Sequence, residues 1–130
     1  MLRQVENLVK DKKIKVFELI RSGNKTKYRR YKKVDGEIAS YWAHYLSISG
    51  KEFAVANPSS TFIRRSAIYT INYQEDIDEG MYIEDLCSGR IYIIKHIDRK
   101  EGYVGDLRIS ALETKEADNA VAEPEVENGD

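Results

Sequence analysis

The sequence predicts a mainly β fold, a small antiparallel β-barrel or sandwich of about six strands, on three observations. Short runs rich in β-branched and aromatic residues recur along the chain, with apolar side chains at every second position. Turn-forming clusters separate these runs, among them Asp35-Gly36, Asn57-Pro58-Ser59-Ser60 and Cys87-Ser88-Gly89. A length of 130 residues with 42% hydrophobic content fits one core rather than two. Residues 1–113 therefore read as a single β domain, and residues 114–130 as a disordered acidic tail.

The elements follow in order. Leu2, Val5, Leu8 and Val9 recur at spacings of three and four, which predicts a short amphipathic helix over residues 2–11. From Lys13 to Ile20, Ile14 and Val16 share one face and Phe17 and Leu19 the other, which predicts the first strand. Residues 21–36 make a basic arm. Arg21, Lys25, Lys27, Arg29, Arg30, Lys32 and Lys33 are interleaved with Tyr28 and Tyr31, without hydrophobic periodicity. Mutual repulsion of seven positive charges predicts an extended, mobile loop or hairpin arm.

Ile38 to Ser49 is the most strand-like run, with Tyr41, Ala43 and Tyr45 facing opposite to Trp42, His44, Leu46 and Ile48. Gly50, Lys51, Glu52, Phe53 and Val55 lie between Gly50 and Pro58, where a long central strand is disfavoured, and predict a protruding loop. Thr61 to Tyr73 predicts a strand with Tyr69, Ile71 and Tyr73 on one face. Met81 to Leu86 and Arg90 to Ile97 predict a hairpin closed through Cys87-Ser88-Gly89, and Asp106 to Leu112 the last strand. The segment from Glu116 onward offers only Val121 and Val126 as sizeable apolar side chains, so its removal is expected to leave folding unchanged.

Net charge is −1, but residues 1–36 hold twelve basic residues against four acidic ones. Two acidic blocks, Glu75 to Asp85 and Glu113 to Asp130, dominate the remainder. Such polarity fits head-to-tail association or a basic element facing a polyanion, and it equally fits solvated faces. The longest stretch without charge, Ile38 to Gly50, is too short and polar to span a bilayer. The chain start offers no signal-peptide core, so synthesis in a cytoplasm is expected. A single cysteine, Cys87, excludes an internal disulfide. His44 and His96 read as structural strand residues, and no phosphate loop, HExxH motif or nucleophile elbow is present. No catalytic, cofactor-binding or metal-ligating set is expected, and the chain reads as a non-enzyme.

From Tyr41 to Glu113 the order of elements resembles the head–tail joining family of tailed bacteriophages, also called head-completion or stopper proteins. The residues that carry the resemblance begin with Trp42-Ala43 and Ser49-Gly50-Lys51-Glu52. Tyr69-Thr70-Ile71-Asn72-Tyr73 follows, with Ile77 four residues later, then Met81-Tyr82-Ile83. Gly89 with Tyr92-Ile93-Ile94, and Leu107-Arg108-Ile109 running to Glu113, complete the pattern. Asn72 and Tyr82 stand where the family usually carries arginines.

The resemblance implies a structural virion protein forming a homo-oligomeric ring, dodecameric in the family, at the head–tail junction. Its implied partners are the portal and adaptor above, a tail terminator or tail tube protein below, and packaged double-stranded DNA without sequence preference. No membrane partner and no cofactor are implied. Within that frame, the basic arm from Arg21 to Lys33 is expected to meet the DNA channel or an adjacent subunit. The loop of Gly50, Lys51, Glu52, Phe53 and Val55 is expected to contact a neighbour, plug the channel or cap its own barrel. A tail-terminator or tail-completion role, and a monomeric nucleic-acid-binding barrel, stand as alternatives.

Overall fold

The computed structural model of the chain describes residues 8–21, 27–48, 65–98 and 105–122. β1 (Lys12–Arg21) carries apolar residues on both faces, so both of its faces can be buried. β2 (Lys27–Tyr31) returns antiparallel along its C-terminal half, with Tyr31 opposite Phe17 and Lys27 opposite Arg21. β3 (Lys33–Val34) and β4 (Glu37–Ile38) form a separate small hairpin. Its turn residues, Asp35 and Gly36, both adopt positive φ, 54° and 81°. That conformation matches the twist of the flanking strands, and Asp-Gly is the pair that tolerates it best. The Ala39 amide donates to the Lys32 carbonyl at 2.9 Å and closes the neck of this insert. β5 (Tyr41–Ile48) then rejoins β1, with Tyr41 opposite Ile14.

β6 (Ser66–Asn72), β7 (Tyr82–Asp85), β8 (Ile91–Asp98) and β9 (Asp106–Glu113) extend the sheet, and β10 (Val121–Ala122) ends it. The strands follow the order β1-β5-β6-β9-β8-β7, and β7 pairs back onto β1 with Ile83 opposite Val16. That last pairing closes a six-stranded antiparallel barrel, and β2 and β10 continue outward from β1. Of the two expected architectures, the barrel is the one formed.

The barrel interior follows from alternation. Ile14 and Val16, Ala43, Tyr69 and Ile71, Ile83, Tyr92 and Ile94, and Leu107 and Ile109 are all buried in one cluster. A β-bulge between Ile94 and His96 resets the alternation, so Ile97 rather than His96 returns to the core. The alternate residues Phe17, Tyr82 and Ile91 face outward and build a second cluster with Ala117. Phe17 stacks on Tyr82 with ring centroids 5.3 Å apart, and Tyr31 tilts against Phe17 at 5.2 Å.

Several expectations are corrected. Residues 8–11 are not helical, and residues 1–7 lie outside the described residues. Val9 is 66% exposed and Lys10 reaches Asp106 at 3.1 Å, so this stretch has no buried apolar face to stabilise a helix. The strand expected from Ile38 to Ser49 is split at Ala39-Ser40, because Ile38 belongs to the inserted hairpin. Tyr73 lies beyond the end of β6 and is exposed, whereas Tyr69 and Ile71 are buried. The block from Arg21 to Lys33 was expected to be an extended, mobile loop or hairpin arm; the hairpin is formed, but Lys27–Tyr31 is a strand of it packed on β1 through Tyr31 and not extended into solvent.

The tail departs most from expectation. Residues 114–122 pack on the barrel, with Thr114, Ala117 and Ala120 buried, while 123–130 lie outside the described residues. Tight turns shape this segment: Glu116 N–H donates to Thr114 Oγ1 at 3.0 Å, and Ala120 N–H to the Ala117 carbonyl at 3.1 Å. The contacts use small side chains and polar anchors, which a search for large apolar residues misses. Tyr82 OH donates to Glu116 Oε1 at 2.8 Å, and Arg29 donates to the Ala117 carbonyl at 2.9 Å. Ending the chain after Lys115 removes both anchors and uncovers Phe17. With each hydrogen bond to a charged group worth about 1.5–3 kcal/mol, a loss on the order of 3–6 kcal/mol is expected in urea unfolding.

Candidate functional site

The basic wall is built by β1 and β2. Residues 12–33 carry ten basic residues and one acid, Glu18. The strand period separates their side chains onto two faces, so the block is not one uniform patch. Lys13, Lys15 and Arg21 share the outward face of β1 with Phe17 and Leu19. Opposite them on β2 stand Lys27, Arg29 and Tyr31, and Arg30 points to the other face with its partner Glu18. The Arg21–Lys27 pair sets two like charges directly across from each other, an arrangement that costs stability unless an anion lies nearby.

Aromatic rings interleave with these cations. The Lys13 ammonium lies 5.3 Å from the centre of the Trp42 ring, and the Lys15 ammonium 5.6 Å from that of Tyr31. Trp42 is 55% exposed, so the Lys13–Trp42 pair presents a flat ring beside a positive charge to solvent. Sequence reading placed Trp42 on the strand face opposite Tyr41, Ala43 and Tyr45 but did not join it to the basic block. Only the β1–β5 register, Lys13 opposite Trp42, brings the two together.

The seven nominated basic residues take different places. Arg29 is structural: its guanidinium lies 5.2 Å from the Phe17 ring centre, donates to Tyr31 OH at 3.3 Å, and sits 4.0 Å from Glu84. Its Nε is buried with no hydrogen-bond partner among the described residues. Lys32 pairs with Asp76 at 3.5 Å. Arg30, Lys32 and Lys33 line an open cleft of about 300 Å³ with Glu18, Tyr31 and Asp76. Arg21 ends β1 and Lys27 begins β2. Lys25 lies outside the described residues, as do Gly50, Lys51, Glu52, Phe53 and Val55 of the expected loop.

A larger open cleft of about 490 Å³ lies between the β3–β4 hairpin and the barrel. Val34, Ile38, Tyr41 and Trp42 give it an apolar floor, and Glu37, Asn72 and Gln74 a polar rim. Val34, Ile38 and Trp42 are exposed, as are Leu46 and Ile48 farther along the outside of β5. This wall is the one long apolar surface that the outward residues of β5 display.

Buried tyrosines tie the strands together. Tyr69 OH donates to Asp85 Oδ2 at 2.7 Å, and Asp85 Oδ1 accepts from the Cys87 and Ser88 amides at 2.8 and 3.2 Å. Asp85 thus ties the β7–β8 turn to the barrel interior, and Cys87 is an exposed free thiol in that turn. Burial first, and the Asp85 carboxylate second, raise the Tyr69 phenol far above its ordinary value. Burial likewise raises Tyr82, helped by Glu116, and Tyr92, helped by its hydrogen bond with Tyr45. Burial also raises Tyr31, helped by Glu84, and Tyr41, helped by Asp76.

The fold and wall together define a small closed β-barrel with a basic, aromatic-bearing face and an apolar outer strand. No family model matches the chain, and no curated protein matches it.

Two outcomes follow for this region. Asp85→Ala strands a phenol and two amides and is expected to cost about 3 kcal/mol or more, while Asp85→Asn keeps an acceptor for the turn and costs less. The raised tyrosines bind protons more tightly when folded, so their contribution is fully present below about pH 10 and is lost as pH rises through the folded values. Ultraviolet difference titration of the native chain should show fewer tyrosines ionising near pH 10 than the unfolded chain, and stability should fall from that pH upward.

Proposed function

We propose that the chain is a non-enzymatic structural subunit of a bacteriophage head–tail junction, assembling as a ring below the portal and adaptor. In that position it closes the DNA exit channel and offers the tail its attachment surface. The observation that carries this reading is the apolar outer face of β5. Trp42, Leu46 and Ile48 stand exposed on it beside Val34 and Ile38 of the inserted hairpin. A subunit acting alone would display that surface to water, whereas lateral packing of like subunits covers it. The resemblance supports the same reading, since its span from Tyr41 to Glu113 begins with β5 and ends with β9.

The basic wall suits the reading as a face toward packaged DNA, where Lys and Arg neutralise phosphates without reading sequence. A second reading, a monomeric nucleic-acid-binding barrel, draws on the exposed Trp42 beside Lys13, an arrangement able to stack a base.

Electron microscopy of the head–tail junction, with mass spectrometry of purified particles, tests the first reading, and absence of the chain from particles defeats it. Replacing Leu46 and Ile48 together by serine separates the two. Exposed positions of this kind change stability by about 0.5 kcal/mol or less each. The ring reading expects normal monomer folding with loss of incorporation, and the second reading expects unchanged binding to single-stranded nucleic acid.

A further inference from the structure

We propose that the cleft between the β3–β4 hairpin and the barrel binds a base of a single-stranded nucleic acid. The base stacks on Trp42, with its phosphate toward Lys13 and its amino edge toward Glu37. This site rests on the nucleic-acid-binding reading of the chain and is independent of ring assembly. The cleft exists because the inserted hairpin stands apart from the main sheet, held at its neck by the Ala39–Lys32 hydrogen bond. Its volume of about 490 Å³ lies within the roughly 300–1,000 Å³ usual for small-ligand sites. Val34, Ile38 and Tyr41 supply apolar surface, and Trp42 adds a ring that is 55% exposed. A half-solvated indole beside an open cleft is a stacking platform, and every nucleobase has a π-face to lie on it.

The charges around the ring give the site a direction. Lys13 stands opposite Trp42 on β1, with its ammonium 5.3 Å from the ring centre. Lys15 follows two residues later on the same outward face, so the lysines begin a basic track for the flanking phosphates. Glu37 lines the cleft from the hairpin side. A carboxylate repels phosphate but accepts from the amino groups of cytosine, adenine or guanine, and thymine offers none. Asn72 and Gln74 add side-chain amides at the rim, each with donors and an acceptor for a base edge. A purely apolar partner would cover Glu37, Asn72 and Gln74 without giving them hydrogen bonds, so the lining favours a nucleic acid over a protein. A duplex keeps its bases stacked on one another and cannot lay one on the ring, so the strand must be single. Leu46 and Ile48 lie outside the cleft, so packing of subunits there uses a different part of β5.

Trp42 is the chain's single tryptophan, so its fluorescence reports on this site alone. Titrating the full chain at low salt with an oligodeoxycytidine of about eight nucleotides should quench it saturably, and a duplex of equal length should not. Anisotropy of the labelled oligonucleotide then compares variants. Trp42→Ala should weaken binding about tenfold, and Trp42→Phe, which keeps a stacking ring, only about twofold. Lys13→Gln should lower the slope of log affinity against log salt by about 0.7. The full chain should prefer oligodeoxycytidine to oligodeoxythymidine about tenfold, and Glu37→Ala should remove most of that preference. Lys13, Glu37 and Trp42 are exposed, so these variants keep the fold, which thermal unfolding verifies. Binding that Trp42→Ala leaves unchanged overturns the proposal while the nucleic-acid-binding reading stands, and absence of any binding overturns both. Equal affinity for the duplex, or no preference between the two oligonucleotides, also overturns it. So does quenching that grows with protein concentration alone, because it places a second copy in the cleft.

Discussion

The structure depends on one strand serving two cores. In β1, Ile14 and Val16 point into the barrel and Phe17 and Leu19 point out of it, and both sets are covered. The inward set is covered because β7 pairs back onto β1, which is the pairing that closes the barrel. The outward set is covered by β2, through Tyr31, and by the 114–120 segment, through Ala117. A strand buried on one face only would leave Phe17 in water, and burying such a side chain is worth about 1.5–3 kcal/mol. The barrel and its outer appendage are for that reason one cooperative unit, not a core with an optional tail.

Closure also needs the β7–β8 hairpin to be held at a fixed height against the barrel. Asp85 does this from a buried position, accepting from Tyr69 inside and from two turn amides outside. Gly89, with a φ of 79°, lets the chain reverse within hydrogen-bond reach of the Asp85 carbonyl. A buried carboxylate is tolerated here because its oxygens are satisfied by fixed donors, whereas an unpaired one would not be. Tyr69 in turn contacts Tyr45 and Tyr92 with ring centroids about 5.3 and 5.5 Å away, so the polar anchor is embedded in aromatic packing.

Much of the barrel was legible in the sequence, and what was not legible has physical causes. Alternation identified β1, β5, β8 and β9, because each sends every second side chain into the continuous barrel core. Alternation failed at Ile97, where a bulge resets the period, and at Ile38, where a two-residue turn inserts a hairpin into what reads as one strand. The strand Lys27–Tyr31 was hidden because its inward contacts are made by Tyr31 and by the aliphatic and planar parts of Arg29, not by alternating aliphatic residues. The 114–122 segment was hidden because alanines pack by fitting closely against rings, and composition alone credits them with little. The basic wall was legible as charge, but its division into Arg29 inside and Lys27 at the strand end required register. Trp42 joined it only through pairing with Lys13.

The charge gradient along the sequence takes on a different meaning once folded. Acidic and basic blocks that suggested contacts between molecules meet within one: Glu84 accepts from Tyr31 and faces Arg29, Asp76 pairs with Lys32, and Asp106 pairs with Lys10. The Glu84 contacts are partly buried and orient β2 on β7, while the Asp76 pair is exposed and contributes at most about 1 kcal/mol. Internal neutralisation is therefore strongest where β2 meets the barrel and weakest toward the free end of the β1–β2 hairpin. There Arg21 and Lys27 face each other across the ladder. A mutually repelling pair at the end of a well-anchored hairpin concentrates positive potential at one place while the anchor supplies the stability. An anion approaching that end relieves the like-charge repulsion between the paired residues.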